Sequence, residues 1–191
     1  MAEVIMDNLI RNYSDVLTSE KCQYFIDKFE ANSEMQEVQN NSKGKTLTVM
    51  NLMNSSDTPF REDLNFLGNI FMTYVEKYKE DCDIKSFRFP KEFGVEAFKM
   101  KRYMPNGKDA FPAHIDVNNR ENARRFLVMF VYLNDNRKGE TLISPKDDMF
   151  VSSCKKGSIV LFPPMWPWIH AGKEPVNVPK YIIGSYLHYV Q

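Results

Sequence analysis

Histidine is scarce in this 191-residue chain, with three in all at His114, His170 and His188. Cysteine is equally scarce. Cys22, Cys82 and Cys154 are odd in number, far apart and free of any CxxC spacing. That excludes a disulfide framework and a zinc ribbon, and makes a reducing, cytoplasmic compartment the expected setting. No apolar run approaches the roughly 20 residues needed to span a bilayer. The start, Met1-Ala2-Glu3-Val4-Ile5-Met6-Asp7, lacks the basic opening and apolar stretch of a signal peptide, so no membrane role is expected. Charge of one sign is also missing in excess: Lys plus Arg and Asp plus Glu stand at 25 each. Net charge therefore exerts no general pull toward nucleic acid or anionic membrane. No strong basic stripe with stacking aromatics is present either, which disfavours a nucleic-acid substrate. Repeats, low-complexity tracts and linkers are absent, and the length fits one domain over 1–191.

What is present changes texture along the chain. Thr18-Ser19-Glu20 supplies an N-cap and an acidic first turn, and Cys22, Phe25, Ile26 and Phe29 then recur at helical spacing. A second helix is predicted over Arg61 to Tyr78, burying Leu64, Leu67, Ile70, Phe71, Tyr74 and Val75. Between the two, Lys45 to Leu52 reads as a strand, preceded by a polar run, Gln36 to Lys43, that reads as a mobile loop. From Val95 onward short β-like runs are divided by turn residues: Val95 to Met104, Phe111 to Asp116, Arg125 to Leu133, Glu140 to Ser144, Met149 to Ser153, Ser158 to Phe162 and Tyr181 to Val190. Strands this short and regularly spaced suggest a sandwich or jelly roll. The expected fold is mainly β with flanking N-terminal helices, a helical part over about 1–90 packed on a β core over about 91–191.

The chemistry concentrates at His114-Ile115-Asp116. Residues two apart on an extended strand point to the same side, so His114 and Asp116 can offer a nitrogen and an oxygen to one metal. His170, arriving from a distant strand, completes two imidazoles and one carboxylate on a single face of the ion. The opposite face stays open, as non-haem Fe(II) requires when it binds a cosubstrate and oxygen. Lys180, ten residues later, would anchor an acidic cosubstrate. Zinc fits the same three ligands, but a simple zinc hydrolase has no need of Lys180. The bland alternative makes His114 a hydrogen-bonded structural residue and His170 part of an aromatic loop. His188 is set aside as structural, because it lies roughly 26 Å beyond Lys180 at about 3.3 Å per strand residue. A small residue at 116 would leave room for a halide; the carboxylate favours oxygen insertion. Lys99, Lys101, Arg102, Lys108, Arg120, Arg124 and Arg125 crowd this region, either as a solvated rim or as a field that draws in acidic substrates.

The combined pattern resembles the Fe(II)- and 2-oxoglutarate-dependent dioxygenases, specifically the prolyl 4-hydroxylase-like group. The resemblance runs from about Lys101 to His188 through Arg102-Tyr103, Gly107, His114-x-Asp116, Phe130 to Asp135, Gly139-Glu140-Thr141, Gly157, His170-Ala171-Gly172, Pro175-Val176 and Lys180. It implies a double-stranded β-helix of the jelly-roll, cupin-like kind, with His114, Asp116 and His170 holding Fe(II). It also implies that Lys180 pairs with the distal carboxylate of 2-oxoglutarate, with Tyr103 and Thr141 at positions that hydrogen-bond it, and that ascorbate supports turnover. Two departures stand out: Lys138-Gly139 replaces a glycine pair, and Val128 replaces a threonine.

Substrate is less legible. Phe162-Pro163-Pro164-Met165-Trp166-Pro167-Trp168-Ile169 leads into His170 and reads as an aromatic wall for an extended peptide or a flat apolar group, or as core capping. The polar run Gln36 to Lys43 is a candidate lid. The reading is hydroxylation by O2 of an unactivated C–H bond, on a peptidyl proline or another protein side chain. The alternatives are a hydroxylase of a free amino acid or other small molecule, and a non-catalytic metal-binding β-helix.

Overall fold

The computed structural model describes residues 9–41, 43–53, 60–144 and 150–190. Its strands are β1 (Arg11–Tyr13), β2 (Gln36–Asn40), β3 (Thr46–Asn51), β4 (Phe93–Val95), β5 (Lys99–Tyr103), β6 (Phe111–His114), β7 (Arg125–Tyr132), β8 (Thr141–Ser144), β9 (Phe150–Val151), β10 (Ile159–Phe162), β11 (Ile169–Gly172) and β12 (Lys180–Tyr189). Two helices, α1 (Ser19–Ala31) and α2 (Arg61–Asp81), lie between β1 and β4 in the chain. Eight strands form one antiparallel sheet in the order β1-β10-β7-β12-β5-β3-β2, with β4 also on β12; four form a second in the order β6-β11-β8-β9.

Alternation along β7 and β12 explains the layering. Leu127, Met129 and Val131 join Ile183 and Leu187 in one buried cluster with the helices, while Val128, Phe130 and Tyr132 join Ile182 in another between the sheets. A strand covered on both faces reads as nearly continuous apolar sequence, as β7 does. The helices lie on the outer face as expected. Thr18 caps α1 by accepting from the Lys21 amide at 3.2 Å, and Cys22, Phe25 and Phe29 are buried beside Leu67, Phe71 and Val75 of α2. The buried Asp63 of α2 is held by Lys28, by Lys21 at 3.3 Å and by the Tyr24 hydroxyl at 3.2 Å. The three cysteines are buried and free.

Several expectations need correction. Gln36 to Lys43 is not a mobile loop through its length, because Gln36–Asn40 is an edge strand paired residue for residue with β3. Its exposed face hides the alternation that marks half-buried strands. The run Val95 to Met104 is two strands, β4 and β5; β1 had no counterpart in the sequence reading, and the strand expected to bring in His170 had no bounds there. The first 90 residues are helical only in part, since β1, β2 and β3 all belong to the large sheet. The Met1–Asp7 reading, Ser42, the turn at Pro145 and Met149 itself fall outside the described residues, while the rest of the run Met149 to Ser153 holds β9. Among the described residues no helix is long and apolar enough to cross a membrane.

Candidate metal centre

His114 and His170 face each other because β6 and β11 place them opposite in antiparallel register, with ring centroids 4.2 Å apart. Each ring is fixed by the same device. Nδ1 of His114 lies 2.8 Å from the Pro112 carbonyl, and Nδ1 of His170 lies 3.0 Å from the Trp168 carbonyl. A carbonyl only accepts, so both rings carry their proton on Nδ1 and turn a bare Nε2 toward the site. Asp116 does not share a strand with His114 as expected, because β6 ends at His114. The turn beyond it is tied to the segment before β11 instead, through the Asp116 and Val117 amides donating to the Pro164 carbonyl at 3.0 and 3.2 Å.

The result still brings three donors together. Nε2 of His114 lies 3.3 Å from Oδ1 of Asp116, Nε2 of His170 lies 3.2 Å from Oδ2, and the three ligand atoms fall within 4.8 Å of one another. Oδ2 is buried and accepts no hydrogen bond. Two bare nitrogens facing a carboxylate repel unless a cation sits among them, so the donor set fits a divalent ion. Burial raises the Asp116 carboxyl; protons on the two Nε2 atoms would outweigh it and hold the group well below the usual carboxylate range, and in the ligating tautomer that role falls to a bound cation. Burial also pushes the His114 imidazolium down, which keeps the ring neutral and free to ligate.

Lys180, Tyr103 and Thr141 line the same cavity as the three donors. Lys180, 1% exposed, begins β12 opposite Tyr103 of β5, with Nζ 4.4 Å above the tyrosine ring. Its ammonium donates to the Gly139 and Lys173 carbonyls at 3.0 and 3.1 Å. Burial lowers its pKa to about 8. Two glycines make room for it. A Cβ on Gly172 would stand 3.3 Å from Nζ, and one on Gly139 would stand 3.1 Å from Cδ. Of the pair Lys138-Gly139, then, the glycine that contacts Lys180 is present and Lys138 is exposed.

Tyr132 and Ser152 support Thr141 and were not singled out by sequence. The Thr141 amide donates to Ser152 Oγ at 2.8 Å, and the Tyr132 hydroxyl lies 2.6 Å from Ser152 Oγ and donates to Thr141 Oγ1 at 2.7 Å. With that acceptor filled, Thr141 can direct its own hydrogen to a ligand. Val128 supplies apolar wall to the same cavity, which also receives Lys101 and Tyr186. The aromatic segment splits in two. Trp168 is buried in the inner core, whereas Trp166 is 75% exposed. His188 packs against Gly94, away from the cavity.

Residues 98–188 match the family model for the 2OG-Fe(II) oxygenase superfamily. That stretch is a domain of the 2OG-Fe(II) oxygenase kind. Fe(II) and 2-oxoglutarate are accordingly the metal and cosubstrate of this dioxygenase. No curated protein matches the sequence. Among solved structures, the oxygenase is similar to a prolyl hydroxylase from Trichoplax adhaerens in complex with a hypoxia inducible factor peptide fragment, at TM-score 0.72 and 15% identity over 95% of this chain and 84% of that one. It is also similar to a viral collagen prolyl hydroxylase of Paramecium bursaria Chlorella virus-1, solved with 2-oxoglutarate, at TM-score 0.67 and 15% identity over 96% and 97%. A non-haem alpha-ketoglutarate-dependent carbocyclase from nogalamycin biosynthesis aligns at TM-score 0.62 and 9% identity over 94% and 79%. At these identities the likeness shows the jelly-roll fold.

Proposed function

We propose that this oxygenase hydroxylates an unactivated C–H bond of a peptidyl proline or another protein side chain, with His114, Asp116 and His170 as iron ligands. Bound Fe(II), with 2-oxoglutarate and O2, supplies the oxidising chemistry. The chain's own residues do the rest. The Pro112 and Trp168 carbonyls hold both imidazoles in the ligating tautomer. Lys180 receives the distal carboxylate of 2-oxoglutarate, Thr141 donates to it, and Tyr103 packs against the ammonium. Phe111, Val128, Phe130 and Phe162 keep the cavity apolar, so each charged contact inside it is stronger than it would be in water.

The observation that carries this reading is the buried ammonium of Lys180, paired with no carboxylate among the described residues, in the same cavity as the three donors. A buried cation held only by neutral carbonyls is costly, and a dicarboxylate reaching from the metal to Nζ removes that cost. Trp166, 75% exposed in the segment that leads into His170, offers apolar surface to an extended chain. The two prolyl hydroxylases among the similar structures agree with a peptide substrate. Proline-containing peptides incubated with the enzyme, Fe(II), 2-oxoglutarate, ascorbate and isotopically labelled O2 should gain one labelled oxygen atom by mass spectrometry, with equimolar succinate. Succinate formation that no peptide stimulates, but that a free amino acid does, would replace the peptidyl substrate with a small molecule.

A further inference from the structure

Lys101 is a second cation in the cavity, and the metal and cosubstrate sites proposed above leave it unassigned. Of the seven cationic residues crowding this region, two are committed elsewhere: Arg102 pairs with Glu30 at 2.8 Å, and Arg125 with Glu96 at 2.7 and 2.8 Å. Lys101 lines the cavity, and its ammonium makes no hydrogen bond or ion pair among the described residues. Its Nζ lies 5.7 Å from the centre of the Phe111 ring, which in turn lies 4.0 Å from the His114 ring.

Its register places it on the side away from Lys180. On β5 and β12 the cross-strand pairs run Tyr103 with Lys180, Lys101 with Ile182, and Lys99 with Gly184. Lys101 thus stands one same-face step from the Lys180 pair, roughly 7 Å along the sheet, in the direction of Tyr186. There a second cavity, bounded by Glu96, Lys99 and Gly184, shares Lys101, Ile182 and Tyr186 with the first. Charge counting points the same way. With the site loaded, the ferrous dication faces Asp116 and one carboxylate of 2-oxoglutarate, and Lys180 faces the other. Lys101 is left uncompensated in an apolar enclosure, where an unpaired cation is costly.

We infer that Lys101 pairs with a carboxylate of the substrate, so that the enzyme selects substrates with an acidic group beside the C–H bond it oxidises. The inference rests on the metal and cosubstrate sites proposed above. That carboxylate can come from a free amino acid or from an acidic side chain in a peptide, and the test separates the two.

The protein is loaded with Mn(II) and 2-oxoglutarate, and probe binding is read from paramagnetic relaxation of probe protons, without turnover. The probes are two matched pairs: L-proline against L-prolinamide, and a blocked prolyl-glutamate peptide against its glutamine twin. In wild type the carboxylate member of at least one pair should bind about tenfold tighter, the scale of one charge-assisted hydrogen bond. The pair that responds identifies the source. Lys101→Met should erase the preference while 2-oxoglutarate affinity holds, and Lys101→Arg should keep it. No preference in wild type, or a preference that survives Lys101→Met, overturns the inference. Loss of 2-oxoglutarate affinity in Lys101→Met, with the preference intact, overturns it by making Lys101 a cosubstrate anchor. A wild type that binds neither Mn(II) nor 2-oxoglutarate would instead overturn the reading of the site itself, before any probe is added.

Discussion

Lys180 is the residue whose surroundings make least sense without a ligand. Its ammonium is buried among two carbonyls and an aromatic face, and burial lowers its pKa to about 8. Replacing it with alanine should raise the 2-oxoglutarate requirement roughly 10- to 100-fold, the worth of a charge-assisted contact. An unchanged KM for 2-oxoglutarate would move the anchor elsewhere. The pH dependence has a definite sign. Below about pH 8 the free protein already carries the proton that the carboxylate needs. Above it, binding must take that proton up, so apparent affinity should fall by up to about tenfold per pH unit. Calorimetric titrations in buffers of different ionisation heat measure this uptake, and affinity that stays flat through about pH 9 would contradict it. At this scale the proposed site residues were readable in the sequence because His-x-Asp, a second histidine and a later lysine are residue types with few other joint uses. The carbonyls that orient the rings were not readable, since backbone atoms leave no mark on sequence. Lys101 was visible only as one of seven cations, because pairing with distant acids such as Glu30 and Glu96 is a property of the fold.

At the scale of elements, the site depends on β11 lying between β6 and β8. Its pairing sets His170 against His114 on one side and Gly172 against Thr141 on the other. The sequence called for a strand under His170 but did not reveal the bounds of β11. Four residues among Pro163, Pro164, Pro167 and Pro175 read as loop, and Ile169 points outward, so the alternation that marks a strand is too short to see. By contrast α1, α2 and β7 were legible, because each is long enough for its period to repeat. Gly172 offers a test at this scale. In Gly172→Ala the new Cβ would stand 3.3 Å from the Lys180 ammonium, close enough to displace it without breaking the strand pairing. The variant should melt close to wild type and require several-fold more 2-oxoglutarate. A large loss of stability with an unchanged 2-oxoglutarate requirement would show that Gly172 serves the strand and not the pocket.

Across the whole molecule, the large sheet separates two tasks. Its outer face packs on α1 and α2 in one apolar cluster, and its inner face closes the cavity in another. Phe71, fully buried in the outer cluster, should cost about 3–5 kcal/mol when cut to alanine. Distant sites add independently, so the surviving folded protein should bind metal and 2-oxoglutarate within about twofold of wild type. A coupled loss of affinity, measured well below the melting temperature, would mean that the helices tune the site. The layered plan was legible from helices preceding short strands, but the sharing of β1, β2 and β3 with the later strands was not, because it requires pairings between distant parts of the chain. The central claim is that three side chains hold Fe(II) and a fourth receives 2-oxoglutarate in one cavity. Anaerobic titration of the Fe(II) protein with 2-oxoglutarate, followed by the iron-to-ligand charge-transfer absorption, tests it most directly. Wild type should develop the band at one equivalent of iron, Lys180→Ala only at much higher 2-oxoglutarate, and Asp116→Ala not at all. A band in Asp116→Ala equal to that of wild type would contradict the account.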